Sequence, residues 1–186
     1  MITIRSLAQA PITLGELLPR IAHYVSPARY NVHKTETDAV TTFTLELVPL
    51  DTPYTKRYDF SDSETMQMYQ VCARSGFSFA AYDGNQPMGI ALAEHHKWNN
   101  TLWIWEFHVA EAYRGQGVGK ALMGTLAQSA RQADVRALCC ETQNTNVPAI
   151  RFYRKMGFRL DGINLSLYDI DSGSEIALFM TRNLQD

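Results

Sequence analysis

At 186 residues, with 46% hydrophobic and 19% charged side chains, the chain is one domain long and too apolar for disorder or a coiled coil. Its 17 basic and 19 acidic residues leave a formal net charge of −2, with no run of Lys or Arg beyond two, which argues against nucleic-acid and membrane-surface partners. No apolar stretch nears the roughly 18 residues that cross a bilayer, and no secretory pattern opens the chain, so a soluble, cytoplasmic, single domain over residues 1–186 is expected.

In chain order, residues 13–25 carry apolar side chains at helical spacing interrupted by Pro19, which predicts one or two short helices. Residues 40–48 are β-branched and alternate Phe43, Leu45 and Leu47, the pattern of a strand. Residues 63–74 read as a helix stopped at Gly76. Residues 77–82 and 88–94 flank an Asp83-Gly84-Asn85 turn and predict a hairpin. The nearly continuous apolar run at 102–109 (LWIWEFHV) predicts a strand covered on both faces. A helix from Val118 to about Gln132, a buried strand at 135–141, a helix at 147–156 closed by Gly157, and strands at 158–167 and 176–181 complete the chain. A helix joining the strands at 102–109 and 135–141 makes that pair parallel, so the class is α/β.

Three cysteines, with Cys139 and Cys140 adjacent, point to reduced thiols, because neighbouring strand residues face opposite ways. The five histidines show no zinc-type spacing, and no metal is expected.

The densest signal is Arg114-Gly115-Gln116-Gly117-Val118-Gly119-Lys120, three alternating glycines between a strand and a helix. Glycines let a ligand approach the backbone, and the free N–H groups of a helix start attract phosphate. A dinucleotide fingerprint fails because Lys120 stands where its third glycine belongs. A P-loop fails because Ala121 and Arg114 stand where Ser or Thr and the first glycine belong. The remaining pattern, Arg-x-x-Gly-x-Gly after a strand ending at Val109, resembles the pyrophosphate loop of the GNAT superfamily of acetyl-CoA-dependent N-acetyltransferases. Asn146-Val147-Pro148-Ala149 through Tyr153 to Gly157-Phe158 resembles that superfamily's next conserved-looking segment, one helix and one strand downstream. Lys97-Trp98-Asn99, Glu141-Thr142-Gln143, Phe152-Tyr153 and Leu167-Tyr168 resemble the streptothricin acetyltransferase branch, whereas the first 35 residues match no pattern.

The resemblance implies a mixed, mostly antiparallel sheet with a central splayed parallel strand pair, flanked by helices. It implies acetyl-CoA as donor, its pyrophosphate on Arg114, Gly115, Gln116, Gly117, Val118, Gly119 and Lys120. The pantetheine arm would lie along Phe107, His108 and Val109, with Asn146 and Tyr153 completing the donor site. It implies Tyr153 as the acid for the leaving thiolate, and pairing of two copies through the C-terminal strands. Two carboxylates compete for the base. Glu106 interrupts an apolar strand, where an unpaired charge is costly, and Glu141 ends the neighbouring strand. Each could instead pair with a structural Arg or cap a loop, Tyr153 could be a core aromatic, and His108 reads first as a packed histidine. The tryptophans Trp98, Trp103 and Trp105 read as core or substrate-wall residues. The expected acceptor is a small cationic amine of the streptothricin type, met by Glu106, Glu141, Glu94, Asp59, Asp62 and Glu64. The alternatives are acetylation of protein N-termini or lysines, and a non-catalytic acyl-CoA-binding regulatory domain.

Overall fold

The structure is a computed structural model describing residues 1–10, 12–169 and 175–185. The elements run β1 (Ile2–Ser6), α1 (Leu14–Ile21), β2 (His23–Glu36), β3 (Thr41–Arg57), α2 (Ser63–Arg74), β4 (Phe79–Asp83), β5 (Gln86–His96) and β6 (Thr101–Val109). A single 3-10 turn at Glu111–Tyr113 leads to α3 (Val118–Gln132), β7 (Ala137–Gln143), α4 (Val147–Lys155), β8 (Arg159–Asn164) and β9 (Ala177–Asn183). The main sheet has seven strands in the order β1-β4-β5-β6-β7-β9-β8, and β2 and β3 form a separate two-stranded sheet. The β1–β4, β4–β5 and β5–β6 pairs are antiparallel and β6–β7 is parallel, as the intervening helix required.

The chain packs as two units, Met1–His23 with Arg57–Cys140 and Thr181–Asp186, and Tyr24–Lys56 with Glu141–Met180. In the first unit, α1 and α2 cover one face of the sheet. Leu14, Leu17, Leu18 and Ile21 of α1 and Tyr69 of α2 cluster with Ala80, Tyr82, Ile90 and Leu92. On the opposite face Leu122 of α3 comes against Gly89 of β5, where a Cβ would lie 3.3 Å from Leu122 Cδ1. Asp62 caps α2 by accepting the Thr65 N–H at 2.9 Å, and Gly76 beyond its end takes φ +89°, the left-handed conformation that stops a helix cheaply.

The decisive irregularity is in β6. Leu92 pairs with Glu106 but Ala93 with Ile104, so Trp105 is an extra residue bulged out of the ladder. Directly opposed residues share a face of an antiparallel pair. Ile104 therefore sits on the face of Ala93, while Glu106 and His108 sit on the face of Leu92 and Ile90, under α1 and α2. Without the bulge, Glu106 would continue the phase of Leu102 and Ile104, both buried.

The second unit holds the β2–β3 hairpin, α4, β8 and most of β9. Asn146 caps α4, its Oδ1 accepting the Ala149 N–H at 3.2 Å. Glu175 is buried there and gathers Lys56, Tyr54 (3.1 Å) and Thr145 (3.1 Å) around its carboxylate, so its charge is paired and its lone pairs are filled.

Several expectations need correction. Residues 13–25 form one helix that absorbs Pro19 near its end and then turn into β2, because Pro19 forfeits only one backbone bond there. The strand expected at 40–48 runs on to Arg57 through Pro49 and Pro53; in a two-stranded sheet every strand is an edge, where Pro is tolerated. The run at 102–109 is mostly buried only in its first half, and the parallel ladder to β7 likewise spans Thr101–Ile104 alone, leaving the later residues of that edge without β7. β8 ends at Asn164, short of the expected residue 167.

Gly89 lies where two backbones touch: a Cβ there would stand 2.7 Å from the His108 carbonyl oxygen and 3.3 Å from Val109 Cα. Neither atom can swing aside as a side chain would. We expect Gly89→Ala to cost about 1–3 kcal/mol of stability, the range of overpacking, read as a lowered urea midpoint at unchanged m-value.

Candidate active site

The glycine turn opens α3. Gly115 and Gly117 have φ +75° and +86°, and neither would place a Cβ within 4 Å of another group, so the space above both is open. Gly117 is the N-cap and carries no side chain to satisfy the N–H groups that start the helix, which by helix geometry have no partner within it. The positive end of a 15-residue helix thus meets an uncluttered backbone concavity, a good fit for a phosphate group. Lys120 is exposed one turn in, and Val118 is buried as the anchor of the turn.

Arg114 also braces the turn. Its Nε donates to the Val109 carbonyl at 3.0 Å and its Nη2 to the His23 carbonyl at 2.7 Å, tying the end of β6 to the end of α1. Gln116 likewise turns back, donating to the Ala112 carbonyl at 2.7 Å. The turn is held rigid by side chains and presents mostly main chain.

On β6, one oxygen of Glu106 accepts from the Tyr69 hydroxyl and the other meets His108 Nε2. The Glu106 and His108 side chains are 11% and 13% exposed, enough for a small molecule to reach them but little bulk water. The Tyr58 ring stands edge-on to His108, centroids 5.5 Å apart. Burial first, and the Glu106 charge second, push the Tyr69 pKa well above the usual phenol value, so Tyr69 keeps its proton and donates. The structural-arginine alternative for Glu106 is not what is found; its partners are a tyrosine and a histidine. Nor does His108 spend Nε2 on a backbone carbonyl. Phe107 and Val109 face the other side, paired with Ala91 and Gly89.

In the second unit Glu141 accepts from the Tyr168 hydroxyl at 2.6 Å, and Gln143 Nε2 donates to that same hydroxyl oxygen at 2.7 Å. Asn146 spends Oδ1 on its cap, leaving Nδ2 as the group it could offer a donor. Tyr153 is 6% exposed, between Phe152 (centroids 5.6 Å) and Phe158 (5.2 Å).

The remaining acidic candidates divide. Asp59 accepts from the backbone N–H and hydroxyl of Ser61 and Asp62 caps α2, and these bonds hold both carboxyls below their usual range. Both are turn formers. Glu64 is exposed in the first turn of α2. Glu94 faces the same side as Trp103, and its Oε2 accepts from Trp105 Nε1 at 3.0 Å and meets His96 at 3.4 Å. The rings of His96, Trp103 and Trp105 contact one another, and Trp98 is exposed apart from them. Tyr69 and Tyr58, which sequence reasoning passed over, become site residues only because the fold carries them to β6.

Residues 44–158 match the acetyltransferase (GNAT) family, and the chain belongs to it. It is an enzyme that moves an acetyl group from acetyl-CoA to an amine, of the streptothricin acetyltransferase type; nothing supports the non-catalytic alternative. A streptothricin acetyltransferase of Streptomyces lavendulae is 35% identical over 143 residues, 75% of each chain. Among solved structures, a nourseothricin acetyltransferase superposes with a TM-score of 0.77 at 31% identity over 98% of both chains. A Bacillus anthracis chain assigned as a streptothricin acetyltransferase, solved with acetyl coenzyme A, superposes at 0.74 with 26% identity over 98% of this chain and 99% of its own.

The open backbone at the glycine turn gives a direct test. Gly117→Val puts a branched side chain into the concavity and should weaken acetyl-CoA binding at least about 10-fold by calorimetry. Forcing a β-branched residue to φ +86° costs about 1–3 kcal/mol of stability, so the melting curve is measured on the same sample to show that the protein is folded. Unchanged affinity would remove the phosphate from this turn.

Proposed function

We propose that this chain acetylates a primary amine of a cationic small molecule of the streptothricin type, using acetyl-CoA, with Glu106 as general base and Tyr153 as general acid. The observation that carries the reading is the nearly buried Glu106 carboxylate, turned out of an apolar strand by a bulge and held by Tyr69 and His108. A core does not tolerate such a charge without use or compensation. The relatives that act on streptothricin and nourseothricin supply the acceptor class.

In this reading the amides of Gly115, Gly117, Val118, Gly119 and Lys120 hold the pyrophosphate, with Arg114 and Gln116 bracing the turn. The main chain of Phe107, His108 and Val109 would pair with the pantetheine arm, and a backbone N–H there would stabilise the oxyanion. Asn146 would contact the donor through Nδ2. An alkylammonium has a pKa of roughly 10.4, so little free amine exists near neutrality. Glu106 takes one proton from it, and the freed lone pair attacks the thioester carbonyl. As the C–S bond breaks, Tyr153 gives its hydroxyl proton to the departing thiolate; the second proton, which the acetylated nitrogen must shed, returns through water to the Tyr153 phenolate, and Glu106 releases the first to solvent. Glu141, already accepting from Tyr168, is the second candidate for the base. Glu94, against Trp105 and His96, would hold a further positive charge on the acceptor, by ion pairing and by the indole face.

Two measurements check this. Tyr153→Phe keeps the ring between Phe152 and Phe158 and deletes only the hydroxyl; kcat should fall about 10²-fold or more with acetyl-CoA affinity nearly retained. Wild-type kcat in that variant would leave Tyr153 a packing residue. In a panel of streptothricin, a polyamine and an N-terminal peptide at equal concentration, streptothricin should be acetylated best. Its kcat/KM should rise from about pH 6 to 8 and fall with added salt, since a negatively charged site steers cations. A peptide acetylated best, with streptothricin untouched, would replace the antibiotic reading with protein acetylation.

A further inference from the structure

We infer that Tyr69 and His108 are positioning residues that grip the two oxygens of Glu106, and that protonation of His108 sets the acid limit of turnover. The inference rests on Glu106 being the general base, and it goes beyond that reading by naming what controls the base.

The geometry assigns the protons. Tyr69 can only donate to Glu106 Oε1, because both burial and the adjacent carboxylate hold its hydroxyl protonated. An ionised carboxylate has no proton to offer, so at Oε2 the proton must be on His108 Nε2, leaving Nδ1 as the imidazole's acceptor. Two donors occupy both oxygens of a carboxylate whose side chain is only 11% exposed. They also fix its rotamer, which a base needs if it is to meet one particular N–H. The grip is tertiary: Tyr69 lies on α2, and the bulge at Trp105 brings Glu106 and His108 onto the face that α2 covers.

Histidine is the side chain that ordinarily changes charge between about pH 5 and 8. A proton added at Nδ1 turns the pair from carboxylate–imidazole into carboxylate–imidazolium. The charge of Glu106 is then neutralised in place, its basicity drops, and an incoming ammonium group is repelled. Within the first unit, the other titratable groups facing the pair are few. Tyr58 stands edge-on to His108, Cys72 on α2 interacts electrostatically with Tyr69, and Glu94 lies one step along β5 from Leu92. The residues opposite on β5, Ile90 and Leu92, are apolar. Burial first, and the charge of Glu94 second, push the Cys72 thiol up to about 11, so it stays neutral across this range.

The test uses two variants that should move the same limb in opposite directions. His108→Gln retains an N–H of similar reach but cannot take up charge. The acid limb of kcat/KM, expressed relative to wild type at each pH so that titration of the amine cancels, should shift down by about one pH unit. Tyr69→Phe removes one donor from a poorly solvated carboxylate, and the limb should shift up by about one unit. A merely structural role would lower stability in both and leave the limb in place. Should either variant fold poorly, the His108 Cε1–H resonance of the intact wild-type enzyme should titrate together with the limb; titration at a clearly different pH overturns the inference. Glu106→Gln separates the two claims. If it retains wild-type turnover, the base reading of Glu106 fails and this inference with it. If it abolishes turnover while both variants keep the wild-type limb, only the inference fails.

Discussion

The extra residue in β6 is the constraint from which the candidate site follows. A strand alternates strictly, so a charged side chain in phase with Leu102 and Ile104 would enter the face packed by α3. One bulged residue, Trp105, reverses the phase, and the next two even-numbered side chains come out under α2. There Tyr69 meets Glu106, and the adjacent residue of the same phase, His108, closes the other side. The cost of a nearly buried charge is offset locally by two donors, so the carboxylate persists without a lysine or arginine partner among the described residues. The bulged residue is itself used, its indole N–H held by Glu94.

Much of this architecture was legible in the sequence because its signals are local. The Asp83-Gly84-Asn85 turn, the stop at Gly76 and the helix from Val118 all depend on neighbouring residues and a backbone conformation that glycine adopts freely. The glycine turn was readable for the same reason, down to the exclusion of two other phosphate motifs. What was illegible is non-local or a matter of register. Nothing in LWIWEFHV says which residue is the bulge, since that is set by pairing with β5. The roles of Tyr69 and Tyr58 require α2 and the segment before it to be docked on the sheet. Glu175 was invisible as a core residue because its partners Tyr54, Lys56 and Thr145 lie about 30 to 120 positions away. The long β2–β3 hairpin was half seen, because its strands carry polar alternation and three prolines, Pro27, Pro49 and Pro53, where a sheet interior would carry neither.

The glycine turn is braced by a positively charged side chain that spends its hydrogen bonds on main chain. Arg114 reads in the sequence as a charge for phosphate, but both of its hydrogen bonds go to main-chain carbonyls, of Val109 and His23. The carbonyl of Val109 belongs to the end of β6 and that of His23 to the residue after α1 closes, so the guanidinium fixes where the strand stops relative to the turn that follows. Gln116 performs a similar task from within the turn by holding the Ala112 carbonyl. The open backbone over Gly115 and Gly117 is thereby fixed in place by contacts made in folding.

The same logic separates two kinds of carboxylate in this chain. Asp59 and Asp62 accept from adjacent backbone N–H groups, which holds them ionised and commits them to shaping the turn into α2. Glu175 is enclosed by a lysine and hydroxyls, with 1% of its side chain exposed, and has no capacity left for a ligand. Glu106 and Glu94 differ, for each is held by a tyrosine hydroxyl, an imidazole or an indole. Those donors orient a carboxylate without cancelling its charge, which leaves lone pairs and negative potential for an ammonium group. Sorting acidic residues by the kind of donor that holds them therefore separates the groups that build the fold from those suited to a cationic amine. Glu106 has both oxygens gripped by side chains while some of its surface stays open to a small molecule.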